Sequence, residues 1–151
     1  MVFMKKRKLL DLIDDNRIKA AIALAEQQTS GEICVSVSSF FWGNVRRVAG
    51  KAFNRLGMQT TRDRNGILFF IVPSRHAFAI IGDQGIHNKV GQEFWEKLVA
   101  AMAVDFKAGN FSEGLVRGIT EAGRLLGVHF PYQGEKDVNE LPDHIDFGGK
   151  K

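Results

Sequence analysis

The segment from Arg62 to Gly85 limits what this chain can become more than any other. Ile67-Leu68-Phe69-Phe70-Ile71-Val72 and Ala77-Phe78-Ala79-Ile80-Ile81 are apolar runs of strand length, parted only by Pro73-Ser74-Arg75-His76. So short a turn returns the second strand antiparallel beside the first, which brings the outer ends of both runs to one sheet edge. Asp63 and Asp83 are therefore expected to be neighbours, in loops that also hold Asn65, Gly66, Gly82 and Gly85.

The residues before this hairpin predict its third strand. In Glu32 to Ser38, Ile33, Val35 and Val37 alternate with Cys34, Ser36 and Ser38, the period of a strand with small residues on one face. Gly43-Asn44 then starts a helix with a stripe of Val45, Val48, Ala49, Ala52, Phe53 and Leu56, ending at Gly57. A strand, helix, strand crossover of this length returns parallel and right-handed, so Glu32 joins the Asp63 edge. Upstream, Asp14 or Asp15 caps a helix through Ile18, Ala21, Ile22 and Ala25, closed by Thr29-Ser30-Gly31. Downstream, one long helix is expected from Ile86 through Val90, Phe94, Leu98, Ala101, Met102 and Phe106 to Gly109. A last helix is expected from a Ser112 cap through Leu115, Val116, Ile119, Ala122 and Leu126 to Gly127. The pattern is α/β with a small mixed sheet: one domain over residues 1–130 and an irregular tail over 131–151, partly docked through Leu141, Ile145 and Phe147.

At 151 residues the chain is large enough for one good core, and 44% hydrophobic with 25% charged residues is a globular composition. The net charge of +4 draws on Lys5, Lys6, Arg7, Lys8, Lys150 and Lys151, with no groove-reading motif or stacking platform beside them, so nucleic-acid binding is not expected. One cysteine, Cys34, excludes an internal disulfide and a multi-cysteine zinc site and fits a reducing compartment, with cytoplasm as the default. Leu9 to Asp15 is broken by acids before a signal-peptide core forms, and no run reaches the ~20 apolar residues of a membrane span. A monomer is expected.

Several blocks resemble one family in order and spacing. They are Thr29-Ser30-Gly31-Glu32-Ile33, Leu56-Gly57-Met58, Arg64-Asn65-Gly66-Ile67-Leu68, Ala79 to Ile86, Glu93-Phe94-Trp95 and Asn139-Glu140-Leu141-Pro142. Together they resemble the TPM domain in its short bacterial form without an export signal. The resemblance implies a single-domain α/β/α sandwich, a mixed sheet between helices. It also implies calcium as a possible ligand, since some members bind it, and acid phosphatase activity as another property, associated with a plant member.

The acidic edge has its own chemistry beside that resemblance. A hard cation takes oxygen ligands from carboxylates, carbonyls and water, and a glycine-bearing loop can aim carbonyls inward. Glu32, Asp63 and Asp83 are the candidate metal ligands, with Ser30, Gly31, Asn65, Gly66, Gly82 and Gly85 as the surrounding loop positions. The alternative is purely structural: Asp83 caps a helix, Asp63 to Gly66 is a turn and Glu32 is a solvated strand end. Gly82-x-x-Gly85 lacks the Gly-Lys-Ser/Thr of a P-loop, and Asp83 repels a bare anion. His87, four residues after Asp83, is the one histidine placed to serve as a base in a weak metal-dependent phosphatase, whereas His76 lies at the far end of the hairpin. Cys34 reads as a small buried residue rather than a nucleophile. Phe40, Phe41 and Trp42, with Arg46 and Arg47 nearby, offer a protein-partner patch and hence a third reading, an interaction module without catalysis.

Overall fold

A computed structural model describes residues 12–39, 43–134 and 145–147. Helix α1 (Asp15–Glu26) is capped by the Asp14 carboxylate, which accepts the Arg17 N–H at 3.2 Å. Strand β1 (Glu32–Val37) leads to α2 (Val45–Arg55), capped by Asn44 and stopped at Gly57, whose φ of 71° reverses the chain. Strand β2 (Gly66–Val72), a 3-10 turn (Pro73–Arg75) and strand β3 (Ala77–Gly82) form the expected hairpin. The sheet order is β1-β2-β3, with β1 parallel to β2 and β3 antiparallel to it. Glu32 sits opposite Gly66 and Ile67 opposite Gly82, the register that the turn and the crossover predict.

Both sheet faces are covered. Ile33, Val35, Val37, Ile67, Phe69, Ile71 and Ile80 pack with the helices on one side. On the other, Cys34, Leu68, Phe70, Val72 and Ala79 meet Ala49, Ala52 and Phe53 of α2 and Met58. Cys34 and Ser36 are small enough to let α2 approach, and the central strand, buried along its full length, is apolar at every position after Gly66. The fold is the expected helix-covered α/β arrangement.

Three helix boundaries differ from the sequence reading. The helix expected from Ile86 to Gly109 is two elements, α3 (Gln84–His87) and α4 (Gln92–Lys107). Between them Asn88 and Gly91 are poor helix formers, and the break lets Ile86 and Phe94 both reach the core, at 0% and 6% exposure. Helix α5 (Phe111–His129) starts after Asn110 rather than at a Ser112 cap. The Ser112 hydroxyl serves α1 instead, accepting the Asp14 N–H at 2.8 Å. Nor does α5 stop at Gly127: a Cβ there would lie 2.7 Å from the Gln28 carbonyl oxygen, so this glycine permits close packing inside the helix.

From the tail, Ile145 and Phe147 dock on the core. Asp146 donates its N–H to Val35 at 2.9 Å and accepts the Val37 N–H at 2.7 Å, laying a short parallel bridge along the outer edge of β1. Leu141 lies outside the described residues.

Candidate functional site

The strand starts of β1 and β2 and the end of β3 meet at one edge. The Glu32 N–H donates to the Asn65 carbonyl at 3.3 Å, the Asp83 N–H to Gly66 at 2.9 Å and the Gly85 N–H to Arg64 at 2.8 Å. Loops from three distant parts of the chain are thus stitched together by backbone bonds. Arg64 holds a φ of 51°, uncommon outside glycine, while its carbonyl takes the Gly85 N–H. Gly85 must be glycine here, since a Cβ would fall 2.2 Å from the Asp63 carbonyl oxygen and 2.5 Å from that of Arg64.

Asp83 is 5% exposed and accepts three hydrogen bonds. One comes from the Gln84 N–H at 2.8 Å, the helix-cap role open from the sequence. The others come from a fork that the sequence did not reveal, Arg64 Nε at 2.6 Å to Oδ2 and Nη2 at 2.8 Å to Oδ1. These bonds, and then the carboxylate's charge, raise the Arg64 pKa above its already high value. Asp63 is more open, its side chain 42% exposed and 3.6 Å from Arg62.

Glu32 is 4% exposed, a buried carboxylate rather than a solvated strand end. Register and strand alternation put Glu32, Gly66 and Asp83 on one face, with Gly66 between the two acids. That leaves Glu32 and Asp83 two inter-strand spacings apart, about 10 Å between Cα atoms. The space over Gly66 is taken by Met58, whose carbonyl oxygen and Cε would lie 3.0 and 3.2 Å from a Cβ at Gly66. Accordingly, among the described residues no three His, Cys, Asp or Glu side chains gather closely enough to hold a metal ion. The edge is shared, but its acids do not form a three-carboxylate cage.

Other oxygen donors lie along the same edge. The Asn65 side chain is 1% exposed, and its Oδ1 is buried without a hydrogen-bond partner. Its Nδ2 donates to Ser30 Oγ at 3.5 Å, so Ser30 borders this amide, and a Cβ at Gly31 would lie 3.3 Å from the Asn65 backbone carbonyl. A buried acceptor without a donor is costly, about 1–3 kcal/mol, and calls for a ligand, water or ion. The Asp63 and Arg64 carbonyls pack on Gly85 and the Asp83 carboxylate is held by Arg64, so the groups along this edge are oxygen donors, the type a hard cation takes.

The remaining sequence candidates lie elsewhere. Gly82 packs under Trp95, whose ring would be 2.3 Å from a Cβ. His87 is exposed and its ring lies 4.9 Å from that of Trp95, in a groove of about 500 Å³ along β3 that Arg46, Phe78, Ile80 and Val99 also line. Its backbone N–H reaches the Asp83 carbonyl at 3.3 Å. His76 sits in the exposed turn against Phe111, and Cys34 is buried. Phe40, Phe41 and Trp42 lie outside the described residues. One polar cluster was not anticipated: Asp146, 9% exposed, accepts from Ser36 Oγ at 2.7 Å and from both Arg55 nitrogens at 3.2 and 2.7 Å. No sequence signal links residues so far apart.

Residues 4–125 match the family model described as the TPM domain. Among solved structures, the BA42 protein of the psychrophilic bacterium Bizionia argentinensis is 38% identical, with a TM-score of 0.84 over 89% of this chain and 92% of that one. The N-terminal domain of a P. gingivalis protein (16% identity, TM-score 0.62, 89% and 99% covered) shares the fold. So does that of cg2496 protein from Corynebacterium glutamicum (12%, 0.58, 90% and 79%). No curated protein matches the chain. Among the described residues, no helix is long and apolar enough to cross a membrane.

Proposed function

This chain belongs to the TPM domain family, and from that premise we propose that it binds a divalent cation, calcium above all, at the edge where β1 and β2 begin and β3 ends. The reading is carried by Asn65 Oδ1, a buried acceptor without a donor in a loop that backbone bonds tie to both neighbouring strands. The Asp83 carboxylate, the Asn65 amide oxygen and the peptide oxygens of residues 63 and 64 are the protein's ligands, with Asp63 and water completing the shell on the open side. Glu32, two inter-strand spacings from Asp83, is not needed as a ligand. With few carboxylates directly available, affinity is modest, in the range that sensor or extracellular calcium modules occupy rather than buffers. The cation serves to stabilise and shape this edge.

Calcium titration followed by amide ¹H–¹⁵N spectra tests the proposal. Shifts are expected at Ser30 to Glu32, Asp63 to Gly66 and Gly82 to Ile86. Spectra unchanged through millimolar calcium, or shifts confined to other residues, would overturn it.

A further inference from the structure

We propose that Arg64 is a built-in competitor of the cation, its guanidinium holding the Asp83 carboxylate until a divalent ion displaces it. The inference rests on the cation reading above and adds what regulates that site. Asp83 is nearly inaccessible, yet both its oxygens are engaged by one side chain, through Nε to Oδ2 at 2.6 Å and Nη2 to Oδ1 at 2.8 Å. Among the described residues, the one other donor to this carboxylate is the Gln84 N–H. A cation that takes Asp83 as a ligand must therefore break the fork, because metal and guanidinium need the same lone pairs.

Arg64 is suited to leave. Its side chain is 48% exposed while that of Asp83 is 5% exposed, so the guanidinium already borders water and can swing out without repacking the core. Its backbone does not have to follow. The carbonyl of Arg64 stays tied to the Gly85 N–H, which anchors the turn at a φ of 51° whether or not the side chain is engaged. Exchange of one positive group for another also means that Asp83 is never left as a bare buried charge.

The consequence is a threshold on affinity. Charge-assisted hydrogen bonds of this kind contribute enough that removing them from the metal-free state tightens calcium binding about tenfold. Arg64→Ala is expected to show that gain by calorimetric or NMR titration, and Arg64→Lys, which keeps the charge but not the fork, a smaller one. In the wild type, the Arg64 Nε–H resonance reports directly: calcium saturation should move it to the position of a solvent-exposed guanidinium, a readout that does not depend on any variant folding. Equal affinity in the wild type and Arg64→Ala, or an unmoved Nε–H signal at saturation while the Asp83 amide shifts, overturns the competitor role and leaves the cation site standing. Absence of calcium shifts in both proteins overturns the cation reading and this inference with it. Binding by Arg64→Ala alone supports both.

Discussion

Gly85 shows how sharply single atoms are constrained at this edge. A methyl group there would stand 2.2 and 2.5 Å from two backbone carbonyl oxygens, groups that cannot rotate aside as a side-chain end can. Gly85→Ala must therefore pry the 63–64 turn from the start of α3, and a loss of about 2–3 kcal/mol is expected from overpacking of this kind. Gly50 is the control, since it lies inside α2 with nothing within 4 Å of an added Cβ. Gly50→Ala should gain about 0.5–1 kcal/mol from helix propensity. Urea midpoints of the two variants should move in opposite directions; a shared direction would contradict the cradle contact. At this scale the sequence was partly legible. Asp63 and Asp83 could be brought to one edge by counting strand residues, but Arg64 as the partner of Asp83 could not. That pairing depends on a left-handed residue in a turn, which no periodicity encodes. Glu32 could be placed at the same edge by its strand position, but its burial, at 4% exposure, could not be read from the sequence.

Among the elements, the helices that agreed with the sequence carry local signals: Asp14 and Asn44 cap, and Gly57 and Gly109 reverse the chain. Those that differed were settled by tertiary contacts, Ser112 by its bond to Asp14, Gly127 by its packing on Gln28, and the α3–α4 break by the need to bury both Ile86 and Phe94. The α1–α5 contact carries a pH dependence of its own. Arg17 Nη2 reaches Glu113 Oε2 at 2.9 Å, and that hydrogen bond, followed by the charge of Arg17, holds the Glu113 carboxyl below its ordinary range. A lowered folded-state pKa means the unfolded chain binds the proton first as pH falls. The pair's contribution is therefore complete above the ordinary glutamate range and disappears as pH drops through the lower folded value. Carboxyl ¹³C titration should find Glu113 raised toward its ordinary range in Arg17→Ala, with the charge of Arg117 still acting on it. The stability gap between that variant and the wild type should close on acidification, and a gap that persists at low pH would assign it to packing of the arginine stem instead.

For the whole molecule, the position of the proposed cation site matters as much as its ligands. The edge joins the starts of β1 and β2 to the end of β3, and the far side of β1 is strapped by Asp146, itself held by Arg55 and Ser36. No ligand set at this edge survives separation of the strands, so calcium that binds the native state leaves the unfolded chain essentially untouched. Linkage then fixes the size of the effect: at a calcium concentration of a hundred times Kd the native state gains about 2.7 kcal/mol. For a domain of this size that raises Tm by roughly 5–10 °C. The rise should be logarithmic in calcium above Kd and should weaken in Asp83→Asn, which removes a charged ligand. Arg64 makes the prediction sharper, because the wild type gives up its ion pair when the metal enters while Arg64→Ala has none to lose. Without calcium Arg64→Ala should melt lower than the wild type; with saturating calcium the two should approach each other. Scanning calorimetry across a calcium series measures both trends, and parallel curves with a constant offset between the two proteins would show that the arginine and the ion do not share Asp83.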